Sequence, residues 1–102
     1  MRLEHYPPDK LKKEIRDIMG KYLDLNKYKI FFFGSRVSGG GGERSDIDIG
    51  IEGPGEVPLE IIGRMKSDAA NLPTLYKIDI IDFTSADASF RDVAKQHIEI
   101  IE

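Results

Sequence analysis

The sequence predicts an α/β (α+β) domain, a small mixed β-sheet with flanking helices. Three observations carry that expectation. Residues 28–33 (YKIFFF) form a short apolar run that stops at Gly34-Ser35, the mark of a buried strand. Residues 46–52 (DIDIGIE) alternate a carboxylate or glycine with isoleucine, the period-two pattern of a second strand. Apolar stripes at helical spacing precede, separate and follow such runs. At 102 residues the whole, 1–102, is expected to be one domain with a single modest core.

The elements follow in order. Pro7-Pro8-Asp9 reads as a helix start, and Leu11, Ile15, Ile18, Tyr22 and Leu23 then fall on one face. Asn26 marks the exit. After the first strand, residues 36–45 form a loop with four consecutive glycines. The second strand is broken by Gly53-Pro54-Gly55. A second helix is expected from Pro58 to Leu72, with Leu59, Ile62, Met65 and Ala69 facing inward and Pro73 ending it. Tyr76 to Phe83 is the third strand. Ser85 is expected to cap a last helix whose stripe holds Phe90, Val93, Ala94, His97, Ile98 and Ile101. The order is α-β-β-α-β-α. The helix between strands two and three favours a parallel, right-handed crossover. The loop between strands one and two suits either direction.

Composition excludes several function classes. With 40% apolar and 32% charged residues and a net charge of −3, no global field draws the chain to nucleic acid. Residues 1–29 are richer in Lys and Arg than the rest, which reads as a solvated helix face. The absence of cysteine removes disulfides, thiolate zinc sites and a cysteine nucleophile. No apolar run approaches the length of a membrane span, and no signal-peptide h-region opens the sequence, so a cytoplasmic location is expected.

The carboxylates carry the chemistry. On a strand, Asp46, Asp48, Gly50 and Glu52 point to one face, while Ile47, Ile49 and Ile51 point to the other. Neighbouring carboxylates repel. A hard Mg²⁺ ion offsets that cost, prefers oxygen ligands and keeps places for phosphate oxygens. Gly50 is expected to leave room beside such a metal. An Asp-x-Asp pattern alone equally describes the polar side of a half-exposed edge strand. An EF-hand is disfavoured, because glycine stands where a ligand should and the isoleucines want a core. A third carboxylate should come from the third strand, where Asp79 and Asp82 lie on opposite faces. Asp79 is favoured, because it sits between isoleucines where an unpartnered carboxylate is expensive. Asp82 lies near the strand end and can cap a turn or meet water.

Gly34 lets backbone approach a phosphate without a Cβ in the way. Ser35 adds a hydroxyl donor, and the following amides can form an anion nest. The run GSRVSGGGG lacks the Lys-Ser/Thr of a Walker loop and the glycine spacing of a dinucleotide fingerprint. Arg36 is either a phosphate partner or a surface charge. Gly40 to Gly42 supply a flexible cover over a nucleotide or a tolerated insertion. His5 and His97 form no ligand pair, and His97 reads as a helix-packing residue.

Taken together, Gly-Ser, ten residues, Asp-x-Asp and a later strand aspartate resemble the polymerase-β-type nucleotidyltransferase superfamily. The wording FFFGSRVSGGGGERSDIDIGIE with KIDIIDF is similar to its minimal nucleotidyltransferase (MNT) group, from about Ile30 to Phe83. The resemblance implies a polymerase-beta-like fold. It implies that Gly34 and Ser35 contact a triphosphate, for which Arg36 is a candidate partner on its own chemistry. Asp46 and Asp48 would bind two Mg²⁺ ions, and Asp79 would bind the catalytic one and help deprotonate the acceptor hydroxyl. Two cations about 3.5–4 Å apart would then clamp the attacking and leaving oxygens at the α-phosphorus of ATP. Two departures bear on affinity and base choice. Val37 stands where a small residue is common, and the loop glycines offer few side chains to a nucleotide.

Such a small chain has little room for an acceptor site, so the acceptor surface is expected from another copy or another protein. Proteins similar to this one are commonly paired with a helical HEPN-type partner as the antitoxin of a toxin–antitoxin pair, and some adenylylate a tyrosine of the toxin. The expected function is therefore transfer of AMP to a partner-protein hydroxyl. Two alternatives stand beside it: a contact antitoxin without catalysis, and transfer to a small molecule such as an aminoglycoside. Neither a membrane nor direct nucleic-acid contact is expected, and a homo-oligomer stays open.

Overall fold

A computed structural model of the chain describes residues 3, 6–34, 37 and 46–101. Ser35, Arg36, His5 and Gly40–Gly42, singled out above, lie outside the described residues. The elements run α1 (Pro8–Gly20), β1 (Lys29–Phe33), β2 (Ile47–Glu52), α2 (Leu59–Ala70), β3 (Ile78–Asp82), α3 (Ala88–Ala94) and β4 (Glu99–Ile100). The strands form one mixed sheet in the order β3-β2-β1-β4. β1 pairs antiparallel with β2, with Phe33 opposite Asp48 and Phe31 opposite Gly50. β2 and β3 run parallel, as the intervening helix requires, with Asp48 beside Asp79.

Alternation along the strands builds two different faces. On one, Ile47, Ile49, Ile51, Ile30, Phe32 and Ile80 pack with Leu11, Ile15 and Met19 of α1 and Ile62, Met65 and Ala69 of α2. This is the main core, and full burial of each such side chain contributes roughly 1.5–3 kcal/mol. On the other face, Phe31, Phe33 and Phe83 make a separate aromatic cluster. Their rings meet edge to face, Phe31–Phe83 at 5.0 Å and Phe33–Phe83 at 4.9 Å between centroids, the arrangement that ring quadrupoles favour.

Helix α1 opens as its prolines dictate, with Pro7 at the N-cap and Pro8 inside the first turn. It stops at Gly20, so Tyr22 and Leu23 reach the core from the following turn, half-buried. Met19 joins the buried stripe, which periodicity over 11, 15 and 18 did not single out. Leu59 departs from expectation. It is 88% exposed at the first turn of α2, three positions before the buried stripe begins at Ile62.

The C-terminal segment departs most. Instead of one long helix capped by Ser85, α3 covers only Ala88–Ala94, with Asp87 at its N-cap. Residues 99–100 then pair with β1, Phe31 opposite Ile100 and Phe32 opposite Glu99. Ile101 is buried in the main core, and its amide donates to the Ile30 carbonyl at 2.9 Å. The free edge of β1 presents unpaired backbone groups, and satisfying them outweighs a helical apolar stripe. His97 accordingly lies exposed in the connection, not packed in a helix. Among the described residues no helix is long and apolar enough to cross a membrane.

Candidate active site

The expected carboxylates gather on the aromatic face of the sheet. Asp48 is half-buried in the middle of the sheet, flanked by Phe33 on β1 and Asp79 on β3. Asp46 is exposed at the head of β2. Burial pushes the Asp48 carboxyl above the ordinary carboxylate range, and the charges of Asp79 and then Asp46 push it the same way. Among the described residues no hydrogen-bond donor or cation faces Asp48, while burial and its two acidic neighbours all disfavour its charge.

Asp79 is differently placed. One carboxylate oxygen accepts from the Ile80 amide at 2.9 Å and lies 3.5 Å from Lys66 Nζ on α2. Nothing in the sequence marked Lys66, since it stands on the exposed side of an ordinary amphipathic helix. Asp82 faces away, as its odd separation from Asp79 requires. Its two oxygens accept from the amides of Val57 at 2.8 Å and Thr84 at 2.9 Å. It therefore ties two loops together and is no part of the site.

Gly34 ends β1 in the left-handed region, with φ of 82°. A Cβ there would lie 2.4 Å from Asp48 Oδ2. Only glycine both adopts that backbone and leaves the carboxylate its place. The Gly34 carbonyl then accepts from the Val37 amide at 3.1 Å, and Val37 packs against the main core. Gly50 has another purpose than the one expected. A Cβ at Gly50 would lie 2.4 Å from Phe31 and 3.0 Å from Phe83, so its missing side chain makes room for aromatic rings, not for a metal.

Do these residues fit a divalent cation? The donor set is all carboxylate, which suits a hard ion. Asp48 is the group that gains most from one, being buried among like charges. Among the described residues no three Asp, Glu or His side chains converge as a ligand group. Asp48 and Asp79 supply the adjacent pair, and Asp46 contributes charge from the strand head. Such a face can neutralise and hold a polyphosphate through a bound cation, with Gly34 offering open backbone beside it.

Comparison with known proteins identifies the family and the fold. The chain matches the family described as "Polymerase beta, Nucleotidyltransferase" over residues 13–102. The Haemophilus influenzae protein named "Probable protein adenylyltransferase MntA" is 27% identical over 77 residues, 74% of this chain. The chain spans 66% of that relative's length, just under two thirds. A toxin–antitoxin structure with AMP-PNP superposes with a TM-score of 0.66 at 19% identity, over 89% of this chain and 72% of the other. A tri-AMPylated HEPN toxin in complex with MNT antitoxin, from Shewanella oneidensis, gives 0.69 at 17% identity, over 92% and 71%. A mutant of the toxin–antitoxin MntA-HpeT gives 0.71 at 17%, over 89% and 72%. At these identities the structures establish a shared fold. The chain belongs to the polymerase beta nucleotidyltransferase family.

Proposed function

We propose that this member of the polymerase beta nucleotidyltransferase family transfers AMP from ATP to a hydroxyl of a partner protein, as the MNT antitoxin of a HEPN/MNT toxin–antitoxin pair. The observation that carries the reading is the half-buried Asp48 carboxylate, held beside Asp79 and against the backbone of Gly34, with burial and its acidic neighbours disfavouring its charge. The names of the relative and of the superposed complexes support the choice of a protein acceptor and a HEPN-type partner.

Asp46, Asp48 and Asp79 would hold Mg²⁺, two ions by analogy with the family's two-metal chemistry. A divalent cation bound there supplies neutralisation of the phosphate charge. Gly34 admits the triphosphate, with Ser35 and Arg36 as its nearest donors along the chain. Asp79 takes the proton of the acceptor hydroxyl as that oxygen bonds to the α-phosphorus. The bond from the α-phosphorus to the bridging oxygen breaks, and pyrophosphate leaves with the electron pair. The work of the chain is positioning and electrostatic stabilisation.

The test is intact-mass analysis of a HEPN-type partner, the protein encoded beside this chain being the first to try. It is co-expressed with the wild type and with the Asp46→Asn/Asp48→Asn form. The expected result is added AMP units with the wild type only, the variant losing transfer by about a thousandfold, on the order of 4 kcal/mol. Equal modification by both forms would discard the metal assignment. A stable, unmodified complex with the wild type would move the function to neutralisation by contact.

A further inference from the structure

A cleft of about 440 Å³ opens directly beside the carboxylates, lined by Phe33, Gly34, Phe90, Val93, Ala94, Gln96 and His97. It includes Gly34, which abuts the Asp48 carboxylate, and Phe33 is the cross-strand neighbour of Asp48. The cleft and the carboxylate face are therefore one continuous surface. Its size lies within the range of about 300–1,000 Å³ usual for small-molecule sites.

We infer that this cleft is the nucleobase subsite, taking the adenine ring of the nucleoside triphosphate whose phosphates meet Gly34 and Asp48. The inference rests on the transfer site proposed above and adds the residues that grip the base. Its lining is aromatic and aliphatic apart from Gln96 and His97, both exposed, which carry an amide and an imidazole. That combination matches a flat heterocycle with a hydrogen-bonding edge: apolar groups take the ring faces, and an amide can pair bidentately with the amine and ring nitrogen of adenine. Phe90 is 44% exposed and Val93 68% exposed, large apolar surface left to water on a seven-residue helix. Phe90 packs on Phe83 at 5.5 Å and Phe33 at 6.4 Å between centroids, which places its ring against the cluster beside Asp48. This also gives α3 a purpose. Phe90 and Ala94 pack on the aromatic cluster and, with Val93, line the cleft beside it. The nucleotide grip that the loop glycines cannot provide is supplied from the opposite end of the chain.

The test is titration calorimetry with Mg²⁺-ATP and with Mg²⁺-tripolyphosphate, on the wild type, Phe90→Ala and Val93→Trp. Val93→Trp fills the cleft from an exposed position, so it keeps the test open if Phe90→Ala loosens the cluster. The expected result is that the wild type prefers ATP to tripolyphosphate. Both variants should weaken ATP by about tenfold or more, the loss of one base–aromatic stack, and leave tripolyphosphate unchanged. ¹³C-methyl signals of Val93 should shift with ATP and not with tripolyphosphate. ATP affinity untouched by Val93→Trp would overturn the subsite while leaving the transfer site standing. So would equal wild-type affinity for the two ligands, or variants that keep ATP but lose a partner protein. A wild type that binds neither ligand would instead discard the nucleotidyltransfer reading on which the subsite rests.

Discussion

The two faces of the sheet share every strand and behave oppositely. Toward α1 and α2, β2 contributes Ile47, Ile49 and Ile51, each fully buried. Toward the aromatic side the same six residues contribute Asp48 and Gly50. One face gains free energy from burial. The other holds a carboxylate in surroundings that disfavour its charge. The rigid face is what makes the charged one tolerable. A slip of one residue in β2 would put isoleucines in the cleft and aspartates in the core, so the isoleucines fix the register that aims Asp48.

The most damaging way to break the comparison is through the apolar face. Ile49→Ala removes a fully buried side chain from the middle strand and should cost about 3 kcal/mol, transfer term plus cavity. Urea unfolding should show the midpoint falling with the slope unchanged. Nucleotide binding should persist in whatever fraction stays folded. A loss under 1 kcal/mol, by contrast, would mean that register is set elsewhere, for instance by the Phe31–Gly50 fit.

Gly34→Ala probes the seam between the faces. The new Cβ would press on Asp48 in a backbone conformation that L residues avoid. The strain alone is about 1–3 kcal/mol. Nucleotide affinity should fall with stability, because relieving the contact moves the Gly34 backbone and the Asp48 carboxylate apart. Circular-dichroism melts and ATP titration on the same sample check both. Stability lost with affinity intact would separate Gly34 from the site.

The contrast between the faces also explains how much was readable beforehand. β2 declared itself because alternation is local: seven residues suffice to show which side is core and which is carboxylate. Asp79 and Asp82 fall on opposite faces for the same reason, and the loop-tying bonds of Asp82 fit a residue placed at a strand end. What could not be read depended on long-range pairing. Phe90, Val93, Ala94, His97 and Ile101 lie at helical spacing, yet the chain leaves α3 at Ala94 because β1 offers a free edge that no local pattern reveals. Lys66 beside Asp79, the aromatic reason for Gly50, and the cleft under α3 all arise where segments distant in sequence meet. Ser35 and Arg36, the expected phosphate donors, lie outside the described residues, so that part of the site rests on the motif.

The smallest effect is the most pointed, because it weighs the charged face by itself. In chelator, Asp48 has a folded-state pKa above its unfolded value. Between those values the folded chain binds more protons than the unfolded one, so its stability falls as pH rises through that window. Above the window the penalty is constant, and below the unfolded value it vanishes. Asp48→Asn, neutral throughout, should therefore melt slightly higher than the wild type at pH 7, and the two curves should converge as pH drops below the ordinary carboxylate range. Adding Mg²⁺ at pH 7 should raise the wild-type melting temperature and leave the variant nearly unmoved, since only a ligand of the folded state stabilises it. A variant less stable than the wild type at pH 7 in chelator would show that Asp48 gains a partner in the folded chain. The two faces would then differ in chemistry but not in the sign of their contribution to stability.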